Sequence, residues 1–243
     1  MSELRMTLVE HLAELRRRLI RVLLVLLAVS SLAYAYAEKT RAFFTRPAGS
    51  IKLCYLSPAE ALMTDIKISF LVGLIVSAPY ILHQAWAFVA PGLSRSERTR
   101  VWPLVLFSSI LFFLGVAFAY YAVLPLALHF MLGFATPNLL ALFSYSRYIS
   151  FVTSILLSFG LIFQLPLGIF FLAHFGLVTP ESLRRQKKYA VLLIFVVAAI
   201  LTPPDVLSQI LMALPMLLLY EASIWLTRLA AVRRRQADDE VHT

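Results

Sequence analysis

Six long apolar runs, at 19–37, 66–88, 101–124, 149–177, 189–202 and 206–227, alternate with polar connections along the chain. A helix needs roughly 20 mostly apolar residues to cross the hydrocarbon core of a bilayer. The pattern therefore predicts an all-α membrane protein with six transmembrane helices in one integral membrane domain spanning 1–243. The fifth and sixth helices are short. Residues 189–202 would span about 21 Å at 1.5 Å per residue, against a core near 30 Å. In the sixth, Glu221 ends the uninterrupted run that starts at Val206, and Pro215 lies inside it. Such a hairpin thins the bilayer locally or packs against neighbours that hide the mismatch. A re-entrant hairpin is the alternative, and it would leave the flanking basic segments on the same side as well. No fixed-period repeat and no inverted pattern between the two halves, of the kind many transporters carry, can be seen.

Finer periodicity adds boundaries. Leu4, Leu8, Leu12, Leu15 and Leu19 recur at helical steps, and Thr7 with Glu10 has capping-box spacing. Together they predict a helix starting near Leu8, with residues 1–18 lying on the membrane surface before the first span. The longest polar connection, 38–64, is broken by Pro47, Gly49 and Pro58. Pro58 is placed to open another helix, as is Pro180 after Thr179. Asp65 and Lys67 belong at the interface. Ser94 and Glu97 have capping spacing for the third span, and the apolar connection 125–148 is expected to pack on the membrane face. Pro79, Pro125, Pro166 and Pro215 are expected kinks that would curve the bundle.

Charge gives the orientation. The net charge is +9, but the basic residues alternate between connections instead of forming a patch for nucleic acid. Arg5, Arg16, Arg17 and Arg18 precede the first span with Arg21 at its start, Arg95, Arg98 and Arg100 follow the second, Arg184, Arg185, Lys187 and Lys188 follow the fourth, and Arg228, Arg233, Arg234 and Arg235 follow the sixth. The complementary connections hold Lys39, Arg41, Arg46 and Lys52, then Arg147 alone, then none. This bias predicts both termini in the cytoplasm, and the four basic residues of the first outer connection are its weak point. The mixed charge of 233–243 predicts a tail without order. Cys54 is the single cysteine, which excludes an intramolecular disulfide. Ala33-Tyr34-Ala35 resembles a signal-peptide cleavage site, but Glu3, Glu10 and Glu14 are foreign to the basic segment such a peptide needs.

Catalytic constellations are missing. The chain has no phosphate loop, no H-E-x-x-H pair, and His11, His83, His129, His174 and His242 are scattered. No enzyme, cofactor or metal is expected. Glu14 and Glu97 are the charges of interest, both predicted beside the cytoplasmic openings of spans. A carboxylate there can accept a bidentate guanidinium. Each also has a structural explanation: Glu14 lies four residues before Arg18, and Glu97 can complete the cap with Ser94. Gln164 stands mid-membrane beside Pro166, where a buried amide either faces protein or water and hydrogen-bonds across helices, or is satisfied locally in the gap that Pro166 opens. His83 and Gln84 are expected at the interface, with Trp86 and Trp102 as aromatic anchors.

Several segments resemble the TatC family, the large subunits of the twin-arginine protein translocase. They are His11-Leu12-Ala13-Glu14-Leu15-Arg16-Arg17-Arg18, Ser77-Ala78-Pro79-Tyr80 with Gln84 through Leu93 to Glu97, Phe118-Ala119-Tyr120-Tyr121, Leu124-Pro125-Leu126, Ser150-Phe151, Phe163-Gln164-Leu165-Pro166 and Leu201-Thr202-Pro203-Pro204-Asp205-Val206. The resemblance implies a concave six-helix bundle in the bacterial cytoplasmic (inner) membrane. It implies binding of Arg-Arg signal peptides of folded cargo and scaffolding of TatA- and TatB-type single-span subunits and other copies of the same chain, driven by the proton-motive force. It also implies that Glu14 and Glu97 receive the signal's arginines, with Arg16 and Phe88 beside them, and that Pro47 and Asp205 shape the outer loops. Many members carry Glu where this chain has Gln164, which leaves hydrogen-bonded partner docking there and removes proton relay. A small-solute secondary transporter is the alternative function.

Overall fold

The computed structural model describes residues 8–49, 53–55, 57–89, 101–133, 143–174, 178–201 and 206–241. Helix α1 runs from Leu8 to Ala35 without interruption. The surface segment and the first span are thus one rod, because the Arg- and Leu-rich turns between them are good helix formers with no Gly or Pro. Helix α2 (Ala37–Thr45) follows, then a 3-10 turn at Arg46–Ala48 that contains Pro47. Gly49 leaves that turn at φ 58°, a left-handed conformation that glycine adopts without a steric penalty.

Helix α3 (Pro58–Val89) starts at the expected proline, eight residues before the apolar run, and the Ser57 hydroxyl accepts the Glu60 N–H at 3.2 Å. Helix α4 (Val101–Phe118) continues through a π-helical turn, Ala119–Val123, into α5 (Leu124–Leu132). The connection expected from Pro125 onward therefore starts only after Leu132. Proline cannot donate to the carbonyl four residues back and clashes with it, and the wider turn before Pro125 relieves that clash.

Helix α6 (Tyr145–Ile162) breaks at Phe163 and Gln164 before α7 (Leu165–His174), next to Pro166 as the sequence suggests. A short α8 (Pro180–Arg185) is capped by Thr179, whose hydroxyl accepts the Ser182 N–H at 3.1 Å. Then come α9 (Lys187–Leu201) and α10 (Val206–Val241). The tail expected to lack order continues α10 as helix.

Among the described residues, four helical stretches are long and apolar enough to cross a membrane: Val9–Ala35, Pro58–Phe88, Trp102–Leu132 and Tyr145–Ala173. Met212–Trp225 in α10 is a shorter apolar stretch, and α9 is only 15 residues long. Leu19, Leu23, Leu27, Leu106, Leu192 and Leu218 are exposed, as befits surfaces solvated by lipid.

The chain falls into two compact units, Met1–Phe113 with Leu142–Thr153, and Leu114–Ala141 with Ser154–Thr243. In the first, α1 packs on α3. A Cβ at Gly73 would lie 2.0 Å from Ser30 Oγ and 3.0 Å from Ser30 Cα, so a glycine sets this crossing. At the end of α3 that carries Asp65, a polar knot joins α2, α3 and α6. Arg41 Nε and the Tyr145 hydroxyl each donate to Asp65 Oδ1 at 3.0 Å, and Tyr148 donates to the Phe44 carbonyl at 2.9 Å. Glu60 Oε1 accepts Ser144 Oγ at 2.6 Å and the Ser146 N–H at 3.2 Å. The Asp65 hydrogen bond holds the Arg41 guanidinium above its ordinary pKa. A two-residue parallel bridge pairs β1 (Leu53–Cys54) with β2 (Phe143–Ser144) beside this knot.

In the second unit, Gly115 touches α6: a Cβ there would meet the Phe159 carbonyl at 2.5 Å. The Phe118 ring lies against Phe159 and Phe163, with centroids 5.7 and 5.8 Å away. Helices α7 and α9 pack on α10, and Ile155, Phe159, Met212 and Ile224 are fully buried. Gln209 of α10 donates to the Phe195 carbonyl of α9 at 2.9 Å.

Two outcomes test this packing. Gly73→Ala forces a methyl into Ser30 and should destabilise the protein by about 1–3 kcal/mol, read as a lower thermal midpoint in detergent. Asp65→Ala leaves the Tyr145 hydroxyl and the Arg41 guanidinium without their shared acceptor and should cost about 1–3 kcal/mol by the same measurement.

Candidate functional site

At the other end of α3 a side-chain cluster forms around Glu14. Arg18, one turn further along α1, donates from Nε and Nη2 to the same carboxylate oxygen, Oε1, at 2.9 and 2.5 Å. This is the i, i+4 pair expected from the sequence. The third contact is not local: Arg18 Nη1 donates to the Gln84 amide oxygen of α3 at 3.0 Å. Gln84 is 7% exposed, so its amide needs a protein partner, and Arg18 is one.

The pair occupies only half of the carboxylate. Glu14 Oε2 is shielded from solvent and, among the described residues, accepts no hydrogen bond. A buried acceptor left in that state costs about 1–3 kcal/mol. A donor brought by another molecule would recover that cost, and a cationic one would add a charge-assisted bond. Beside it lies a cavity of about 420 Å³ whose described lining is Glu10, Ala13, Glu14, Arg17, Arg18 and Arg21. His11 and Phe88 stack next to this cluster, with centroids 4.2 Å apart and planes 23° from parallel. That contact places Phe88 at the same end of the α1–α3 pair as Glu14. Arg16 is exposed on α1. His83 lies 6.4 Å from the Trp102 ring.

Glu97, which the sequence pairs with Glu14, lies outside the described residues, as do Ser94 and Asp205. Pro47 sits in the 3-10 turn after α2, far along the chain from this cluster. Gln164 occupies the break between α6 and α7. Its N–H reaches the Leu161 carbonyl at 2.9 Å, its carbonyl accepts the Gly168 N–H at 2.9 Å, and the residue is half-buried. The structure therefore brings Glu14 and Phe88 together and keeps Gln164 and Pro47 at separate places in the chain.

Sequence reasoning placed Gln84 at the interface and missed its role as the far anchor of Arg18. Its signal was an amide directly after His83 in the otherwise apolar last turns of α3, and only the α1–α3 register reveals the partner. Among the described residues no group of His, Cys, Asp and Glu has the arrangement of a metal site. What the cluster offers is an acceptor for a cation, framed by an aromatic pair, at a helix end.

Comparison with known proteins shows the family. A family model described as Sec-independent protein translocase protein (TatC) matches residues 10–215. A protein named Sec-independent protein translocase protein TatC from Aquifex aeolicus is 43% identical, covering 95% of this chain and 98% of its own length. The protein of the same name from Escherichia coli K12 is 37% identical, covering 96% and 92%. A crystal structure described as the twin arginine translocase receptor TatC superposes with a TM-score of 0.81 at 44% identity, covering 91% of this chain and all of that one. These matches run nearly end to end, and the chain belongs to the TatC family of Sec-independent protein translocase proteins.

Proposed function

We propose that this chain is the receptor subunit of a twin-arginine protein translocase, binding Arg-Arg signal peptides at the Glu14 cluster. The observation that carries the reading is the half-occupied Glu14 carboxylate, with Oε1 held by Arg18 and Oε2 buried without a described donor. A guanidinium from a signal peptide donates to Oε2, and Glu97 takes the second arginine. Arg18 and Gln84 act as positioning residues, holding the carboxylate in one orientation by a fork that spans α1 and α3. Phe88, stacked on His11, supplies an apolar face next to the charge, and Arg16 lies on the same helix one turn from Glu14's neighbours.

The chain works as a receptor and scaffold without chemistry of its own. It sits in the bacterial cytoplasmic membrane with both termini in the cytoplasm, an orientation supported by the alternation of basic connections. Single-span TatA- and TatB-type subunits and further copies of the chain are its partners, and the proton-motive force supplies the energy. Gln164, at the break between α6 and α7, is the polar contact for a partner helix through hydrogen bonds. Pro47 and Asp205 shape the connections on the opposite side of the membrane. The small-solute transporter alternative falls away, because the relatives are protein translocase components over nearly the whole chain.

Photocrosslinking to a twin-arginine signal peptide, beside a Lys-Lys version, tests the receptor role. Crosslinks should form with the Arg-Arg peptide alone, and Glu14→Gln or Glu97→Gln should lower them about tenfold or more, since a hydrogen bond to a charged group contributes about 1.5–3 kcal/mol. Equal labelling of both peptides, or unchanged labelling in a properly inserted Glu14→Gln/Glu97→Gln protein, would overturn it. Gln84→Leu keeps the Glu14–Arg18 pair but removes its anchor on α3, and should weaken labelling by roughly twofold to tenfold, about 0.5–1.5 kcal/mol, because its effect reaches Glu14 only through Arg18. Gln164→Leu should reduce copurification of the single-span partner while leaving signal crosslinking intact; unchanged copurification places the partner site elsewhere.

A further inference from the structure

The second unit carries a basic corner whose residues are not among those of the Glu14 cluster. Between α8 and α9, Arg184, Arg185, Lys187 and Lys188 fall within five consecutive positions, and all four are exposed. Lys187 pairs with Glu221 of α10. Arg184 and Arg185 make no ion pair or hydrogen bond through their side chains among the described residues. The Lys188 ammonium lies over the Tyr189 ring, 5.1 Å from its centroid. A cavity of about 590 Å³ opens here, lined by Glu181, Ser182, Arg185, Gln186, Lys188 and Tyr189.

This corner is held in place from three directions. The Thr179 cap fixes the start of α8, the Tyr220 hydroxyl donates to the Leu183 carbonyl at 2.9 Å, and Glu221 ties Lys187 to α10. Counting Glu181 and Glu221 against the four cations leaves the corner positive. The apolar run of α9 follows directly, so the cations stand at the level where a bilayer has its headgroups. Beyond them Tyr189, Leu192, Leu193, Val196 and Ile200 are exposed at helical spacing, a strip on one side of α9.

We propose that this corner binds the phosphate of an anionic phospholipid, whose acyl chains lie along the exposed strip of α9. A soluble phosphate compound would use the cations but has no use for the strip that continues from them. A lipid uses both, and basic pockets beside membrane helices are suited to such headgroups. The ring of Tyr189 and the stems of Lys188 and Arg185 bridge the two parts, with the charged tips toward phosphate and the apolar stems toward the acyl chains.

Native mass spectrometry of the purified full chain, with phosphatidylglycerol or phosphatidylcholine added at equal concentration, tests the site. The native chain should retain phosphatidylglycerol at least about tenfold better than phosphatidylcholine, given the contribution of each interfacial cation. The triple variant Arg184→Gln/Arg185→Gln/Lys188→Gln should lose that preference. Arg233→Gln/Arg234→Gln/Arg235→Gln, which removes the same charge from α10, should keep it. Arg184→Lys/Arg185→Lys should also keep it, and monodisperse elution of each variant establishes that it is folded. Leu192→Ser/Leu193→Ser, with every cation intact, should lower retention as well. Retention by the Gln triple variant, equal loss in the α10 variant, or displacement of the lipid by millimolar glycerol phosphate would overturn the proposal.

Discussion

The close crossing of α1 and α3 at Ser30 and Gly73 is the contact on which the rest of the first unit depends. Two helices can approach this closely only where one lacks a side chain, and in a bilayer such contacts replace the hydrophobic drive that water would provide. The crossing also sets a register. From it α1 and α3 run antiparallel, so that Arg18, 12 positions before Ser30, meets Gln84, 11 positions after Gly73. In the other direction the chain turns into α2 and brings Arg41 to Asp65. A single glycine thus stands between two polar ties, and the position of the Glu14 carboxylate follows from it.

The two ties do different things with similar chemistry. At Asp65 both carboxylate oxygens are engaged, one by Arg41 Nε and Tyr145 and the other by Arg41 Nη2. That carboxylate is a closed structural joint. At Glu14 all described donors converge on one oxygen. A buried acceptor without a donor costs stability, and its persistence beside a cavity is what separates a receiving group from a brace. Arg18 matters because it fixes which oxygen is filled.

Local chemistry made much of the fold readable. Pro58 after Ser57, and Pro180 after Thr179, announce helix starts that the structure shows at those residues. The Gln164 break next to Pro166 follows from a ring that cannot complete the helical ladder. The Glu14–Arg18 pair was visible because it is four residues long. What stayed hidden is non-local or cumulative: the β1–β2 bridge, the Gln84 anchor and the Ser30–Gly73 contact join residues far apart in sequence. The π turn before Pro125 was also missed, since proline normally reads as an end and here the helix absorbs it. The long extension of α10 ran against a polar composition that suggested a tail.

The Asp65 knot has a consequence for how the protein is made. Arg41 and Asp65 are 24 positions apart and can meet as soon as the first hairpin is inserted. Glu60 waits for Ser144 and Ser146, which emerge more than 80 residues later. Assembly is therefore staged by sequence distance: an early hairpin carries its own ion pair, and the bonds from Glu60 to Ser144 and Ser146 are added once the later helix is synthesised.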